Sequence, residues 1–148
     1  MTVHPPHGGE HHMIRSTKMS TEDYLEAILI LTRANGHCRN IDIANYFFFS
    51  KPSVTVAMQK LAREGMITYE PGTSHNITLT EAGLRRAENV YERHRVLTEV
   101  LEWHGVDKET AEEDACKIEH DLSDESFERV KRVWERKCNR AVRKRSKK

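Results

Sequence analysis

The segment from Ile41 to Ile67, IDIANYFFFSKPSVTVAMQKLAREGMI, leaves few folds open to this chain. Ile41 to Tyr46 reads as a short helix around the small Ala44, and Phe47-Phe48-Phe49 makes a tight turn. Ser50-Lys51-Pro52-Ser53 opens a second helix, because proline is tolerated in a first turn whose N–H groups have no intrahelical partner. Val54, Met58 and Leu61 share one stripe that can pack on the preceding helix, while Thr55, Gln59, Lys60 and Arg63 stay outside. Gly65 ends the helix. A short helix, a turn and a second helix with a polar outer face describe a helix-turn-helix. The period then changes. Ile67-Thr68-Tyr69 and Ile77-Thr78-Leu79 alternate as short strands across the breaker-rich stretch Glu70-Pro-Gly-Thr-Ser-His75. A hairpin directly after the second helix is a wing. A helix-turn-helix serves DNA binding and protein docking alike, so the motif fixes the architecture and not the partner.

Helical periodicity governs the flanks. Ser20 or Thr21 caps a helix whose first turn carries Glu22 and Asp23, as the helix dipole favours. Its inner residues are Tyr24, Leu25, Ile28, Leu29 and Leu31, and Asn35-Gly36 stops it. Asp23 and Glu26 lie on one face at i, i+3; taken alone, they read as a capping acid and a surface acid. Thr80-Glu81-Ala82-Gly83 starts a long amphipathic helix that runs to about His104, where Gly105 breaks it. Asp107 to Leu122 forms another helix. Ser123 starts a last one that passes Phe127, Val130 and Trp134 into a basic tail. The expected fold class is mainly α with a small β-hairpin: a winged helix-turn-helix over 19–83, a helical domain over 84–136 and a basic tail over 137–148. Residues 1–18 have Pro, Gly and no apolar period, so a disordered leader is expected there. Its four histidines, His4, His7, His11 and His12, read as part of that leader rather than as a metal site.

Charge is unevenly spread beneath a net value of +1. From Arg129 to Lys148 there are 11 Lys/Arg and a single acid, Glu135; the remainder carries 13 basic and 22 acidic residues. Leu97 to Glu128 holds 12 acids against Lys108 and Lys117. Such a region repels nucleic acid and suits divalent cations. The basic tail either reaches a phosphate backbone, folds against the acidic region, or frays as a solvated helix end. Within the acidic region, Cys116-Lys-Ile-Glu119-His120 puts a thiol, a carboxylate and an imidazole on one helical face. These are three metal-ligand chemistries within about one turn. The plainer reading is a half-buried Cys beside two surface polar residues. Three widely spaced cysteines argue against a disulfide framework. No apolar run approaches the roughly 18 residues of a membrane span, and the N-terminus has no apolar signal region, so a cytoplasmic location is expected.

Taken together, EDYLE, DIANYFFFSKPSVTVAMQKL, ITLTEAG, YERHRVL and DACKIEHDLSDES resemble the diphtheria toxin repressor and manganese transport regulator family. The resemblance covers Ser20 to about Trp134. It implies a homodimeric, metal-activated transcriptional regulator in which the helical domain binds metal and dimerises. Asp23 sits where the manganese branch has a ligand Asp and the iron branch a Met, and Glu26 matches a manganese-branch carboxylate ligand. His94 matches a ligand histidine on the long helix, and Glu119 and His120 match a pair both branches share. Cys116 matches the iron-branch Cys, where the manganese branch has a Glu able to bridge two metals. Glu112 and Thr98 stand where the iron branch places a second-site His and Glu; Glu112 can still ligate, whereas Thr98 is a poor substitute. The chain ends before the SH3-like domain of longer iron-branch members, so a short form is expected. The implied cofactor is a divalent transition metal, Mn²⁺ or Fe²⁺. The thiolate leans toward Fe²⁺, Co²⁺ or Zn²⁺.

The implied partner is double-stranded DNA with a pseudo-palindromic operator, read by a homodimer with no role for a membrane. Ser50, Lys51, Pro52, Ser53, Thr55, Gln59 and Lys60 are the expected contacts. Lys51 and Lys60 suit phosphates, Gln59 can pair bidentately with adenine, and the Thr55 methyl can touch thymine. In the wing, Thr73, Ser74 and His75 are expected to approach the backbone. Metal held by both domains would fix the separation of two DNA-binding heads, shifting a population toward the binding form. Two other readings stand beside this one: a winged-helix regulator with a vestigial metal site, and a metalloenzyme. The metalloenzyme lacks a Gly-rich phosphate loop, a nucleophile elbow or an HExxH arrangement.

Overall fold

The computed structural model describes residues 19–69 and 76–145. The expected leader 1–18, the wing residues Thr73, Ser74 and His75, and residues 146–148 lie outside the described residues. Six helices and a two-stranded antiparallel sheet follow one another as α1 (Thr21–Asn35), α2 (Asn40–Phe47), α3 (Lys51–Arg63), β1 (Ile67–Thr68), β2 (Thr78–Leu79), α4 (Glu81–Trp103), α5 (Lys108–Asp121) and α6 (Asp124–Arg145). The chain divides into two compact units, 1–90 and 91–148, with the boundary inside α4.

In the first unit, α1 starts at a reciprocal cap. The Ser20 hydroxyl accepts from Asp23 N at 3.1 Å, and the Asp23 carboxylate accepts from Ser20 N at 2.7 Å. Gly36, at φ 77°, closes the helix in the left-handed conformation that glycine adopts without strain. Leu25, Ile28, Ile43, Val54, Met58 and Leu61 form the core of α1, α2 and α3, each at most 2% exposed. Around it, Phe47 meets Tyr24 edge-on at 5.4 Å and stacks on Phe49 at 5.8 Å. Phe47 therefore belongs to the end of α2 and packs half-buried at the rim of the core, and the turn falls on Phe48. Phe48 takes φ 56° and leaves its ring 78% exposed.

Each wing strand is one residue shorter than its alternation suggests. Ile67 pairs with Leu79 and Thr68 with Thr78. Ile77 instead donates its N–H to Cys38 O at 2.7 Å, and Asn76 bridges Arg39, so the α1–α2 connection flanks the hairpin. Asn40 Nδ2 donates to Thr55 Oγ1 at 3.0 Å and to Tyr69 Oη at 2.8 Å, tying α2, α3 and the wing together.

The wing meets α4 at a crowded junction. Thr80 Oγ1 donates to Gly65 O at 2.7 Å and accepts from Gly83 N at 3.1 Å, so one hydroxyl caps α4 and fastens the preceding turn. A Cβ on Gly83 would stand 1.9 Å from Met66 O, which is backbone and cannot step aside cheaply. Here glycine is required by space.

In the second unit, Val96, Leu97, Ala111, Ala115 and Phe127 are buried. Asp107 caps α5 by accepting from Thr110 N at 3.0 Å, and Phe127, near the start of α6, is 1% exposed. The residues expected to form a separate tail from 137 continue α6 as helix to Arg145. Among the described residues, no helix is long and apolar enough to cross a membrane.

Gly83→Ala is expected to destabilise the first unit by about 1–3 kcal/mol, the usual cost of overpacking. Urea unfolding followed by circular dichroism checks this; a midpoint equal to wild type would mean that the junction relaxes.

Candidate metal centre and DNA-facing helix

Ala111, Ala115 and Glu119 recur every fourth residue along α5 and are all buried. The third member of this stripe is a carboxylate where the pattern calls for an apolar side chain. A buried ionised carboxylate needs partners of opposite charge or strong donors. Glu119 Oε2 lies 2.9 Å from His94 Nδ1 of α4, and Oε1 lies 3.4 Å from His120 Nε2. Cys116 Sγ, a Glu119 carboxylate oxygen and a His120 ring nitrogen all fall within 4.8 Å of one another.

The backbone beneath Glu119 is fixed from α4. Arg93, 6% exposed, donates from Nη1 to Glu119 O at 3.1 Å and to Leu122 O at 2.6 Å. Its Nη2 donates to Asp124 Oδ1, and the guanidinium lies 4.9 Å from the Phe127 ring centroid. One cation thus satisfies the last carbonyls of α5, where the helix dipole is negative, and ties in the first turn of α6. The sequence reading missed Arg93. Its visible signal was a charge beside His94 on the long helix, where the apolar period expects a buried position.

The other expected ligands divide between the two units. Asp23 is the third residue of α1 and serves its cap, and Glu26 is half-buried one turn later. Glu112 is half-buried one turn before Cys116 and lies 3.9 Å from Lys108 Nζ. Thr98, 8% exposed, has no hydrogen-bond partner for its hydroxyl among the described residues.

The donor set fits a divalent transition metal. A thiolate, a carboxylate and an imidazole are concentrated on one helical face, with a second imidazole on the carboxylate. The three cysteines differ sharply in this respect. Burial, reinforced by the Asp42 charge, pushes the Cys38 thiol up to about 12, so it stays protonated and takes no metal near neutrality. Cys116 is half-buried and Cys138 exposed.

On α3, Lys51, Pro52, Ser53, Gln59 and Lys60 are exposed and Thr55 is half-buried, on the side away from Val54, Met58 and Leu61. Ser50 caps the helix, accepting from Ser53 N at 3.4 Å. The Thr55 hydroxyl accepts from Asn40 and donates to Lys51 O at 3.0 Å, so its methyl remains for an outside contact. Val56 was not foreseen; it is 65% exposed on the same side.

Comparison with known proteins covers both segments. Residues 16–74 match the model described as the iron dependent repressor N-terminal DNA-binding domain, and residues 80–136 match the iron dependent repressor metal binding and dimerisation domain. The chain is 39% identical over 119 residues to an uncharacterised HTH-type transcriptional regulator of Methanocaldococcus jannaschii, covering 79% of this chain and 94% of that one. It is 36% identical to the HTH-type transcriptional regulator MntR of Lysinibacillus sphaericus, covering 75% and 78%. Among solved structures it resembles the manganese regulator SloR, with 26% identity, a TM-score of 0.66 and coverage of 78% and 54%. The Thermoplasma acidophilum IdeR structure gives 25% identity, a TM-score of 0.65 and coverage of 76% and 53%. The chain thus spans about half the length of these solved regulators.

Two outcomes are expected. Arg93→Met should destabilise the second unit by about 1–3 kcal/mol for each carbonyl left buried without a donor. Asp124→Asn should cost far less, because that carboxylate is 93% exposed. Equal unfolding midpoints for the two variants would remove Arg93 from this role. In alkylation followed by peptide mass mapping, Cys138 should react first and Cys38 only on unfolding. Mn²⁺ should protect Cys116 alone, and metal-independent labelling of Cys116 would argue against a thiolate ligand.

Proposed function

The chain belongs to the iron-dependent repressor family of metal-dependent, DNA-binding transcriptional regulators, and on that premise we propose that Cys116, Glu119, His120 and His94 hold its Mn²⁺ or Fe²⁺ ion. The buried Glu119 carboxylate, placed between two imidazoles and beside a thiol, is the observation that carries this reading. Asp23, Glu26 and Glu112 enter the ligand set through the family resemblance. When bound, the metal supplies positive charge that neutralises clustered acids and anchors ligands from separate parts of the chain.

The chain's own residues set the conditions of the switch. His120 and His94 must give up any proton to ligate, and Cys116 must lose its own, so activation weakens as pH falls. Arg93 holds the α5 carbonyl backbone that carries Glu119, which keeps the donor set assembled before metal arrives. The family's members are regulators and not enzymes, and the residues serve binding rather than turnover.

The protein acts as a homodimeric repressor of metal-homeostasis genes in the cytoplasm, on a pseudo-palindromic operator. Its winged helix presents Ser50, Lys51, Pro52, Ser53, Thr55, Gln59 and Lys60 to the duplex. Lys51 and Lys60 position the helix on phosphates, and Gln59 reads a base edge. The Val56 methyls extend that reading surface. In the metal-loaded dimer the two heads would match the half-site spacing, a coupling of about 1–3 kcal/mol in an ordinary switch.

Selection from a random duplex pool, run anaerobically with chelator, Mn²⁺ or Fe²⁺, tests the function directly. A pseudo-palindrome enriched only with metal is expected; equal enrichment with chelator would defeat the switch. His120→Ala should keep the dimer and lose the metal response, roughly 5- to 150-fold in DNA affinity. A retained response removes Glu119-His120 from the mechanism. Gln59→Ala should relax base preference at one position per half-site, and equal loss on cognate and random duplexes would contradict that role.

A further inference from the structure

Helix α6 carries a stripe that neither the core nor the metal centre uses. Arg129, Arg132, Arg136, Arg140 and Arg143 follow one another at spacings of three, four, four and three, and all five are exposed. At roughly 100° per residue they fall within about 80° of arc. The packing face, with Phe127 1% exposed and the half-buried Trp134, lies on the opposite side.

The cations nearest that packing face are already engaged. Lys131 Nζ lies 2.8 Å from Glu92 Oε1, and Lys137 sits over the Trp103 ring. Among the described residues, none of the five arginines forms an ion pair with an acid. The stripe spans 15 residues, 14 helical steps or about 21 Å of helix. Arg140 and Arg143 lie beyond residue 136, where the match to the family model ends.

Arg136 Nε donates to Arg132 O at 3.2 Å, a bond that leaves its charge unneutralised. A row of guanidinium groups without acid partners at that spacing suits a regular polyanion, and duplex DNA carries about one charge per 1.7 Å of axis. An anionic lipid surface would ask for an open apolar face alongside the cations. On α6 the aromatic side chains are withdrawn from such a face, because Trp134 Nε1 donates to Glu99 Oε2 at 2.7 Å and Phe127 is buried; the exposed apolar residues are two small ones, Val133 at 59% and Val142 at 63%. We propose that the Arg129–Arg143 stripe of α6 is a second, sequence-independent contact with the phosphate backbone of duplex DNA. This inference rests on the reading of the chain as a DNA-binding regulator and adds a surface outside its winged helix.

The test uses the full chain with Mn²⁺, the selected operator and a random duplex, titrated with salt. The variant is Arg136→Gln/Arg140→Gln/Arg143→Gln, whose replacements keep helix propensity. Its helicity, dimer mass and metal requirement should match wild type. The slope of log affinity against log salt should flatten by about 2–3, at roughly 0.9 per lost phosphate contact, equally on both duplexes. An unchanged slope, or tighter binding by the variant, would overturn the proposal. So would loss of binding to phosphatidylglycerol vesicles with no change on DNA, which would assign the stripe to lipid. A wild-type chain that ignores every duplex with or without metal would sink the regulator reading itself. A metal-dependent wild type beside a variant of unchanged slope sinks the stripe alone.

Discussion

The second unit depends on one buried cation. Arg93 reaches from α4 to the Glu119 and Leu122 carbonyls and to the first turn of α6. A charge so far from water survives only because each face of the guanidinium has work: carbonyls and a carboxylate in its plane, an aromatic ring against it. Without it, the end of α5 would leave polar groups buried and unanswered, and that end carries Glu119 and His120. The end of α5 that carries Glu119 and His120 is therefore built on a structural ion.

Glu119 breaks the apolar pattern of its own helix face. Ala111 and Ala115 are small and buried, and the next position in the stripe receives a carboxylate. Such a placement costs stability unless the charge is answered. The imidazoles of His94 and His120 answer it, and a divalent cation would do so more strongly. Local rules fail at this position, as they do where a site serves binding rather than packing.

The winged helix was legible because it depends on short-range signals. Serine caps, Pro52 in a first turn, glycines after helices and the change from helical to alternating period all act within a few residues. They placed α1, α3 and the hairpin to within a residue or two. Phe47-Phe48-Phe49 was harder to divide. Three identical side chains give a pattern no contrast, and only packing on Tyr24 decides which phenyl is core. The helical continuation past residue 137 was obscured for a related reason, since charge content signals solvent exposure and not the state of the backbone. Cys116, Glu119 and His120 could be grouped from spacing alone, because i, i+3, i+4 geometry fixes a shared face.

By itself, the sequence determined the order of elements, the winged helix and the thiol–carboxylate–imidazole face of α5. Each follows from local periodicity, capping and turn chemistry. Tertiary structure alone decided that Glu119 is buried, that His94 meets it, that Arg93 secures its backbone and that Gly83 must lack a side chain. These outcomes depend on contacts between residues 17 to 31 positions apart, as from Gly83 to Met66 or from Arg93 to Asp124. No local propensity encodes such contacts, because they exist only once the helices have packed.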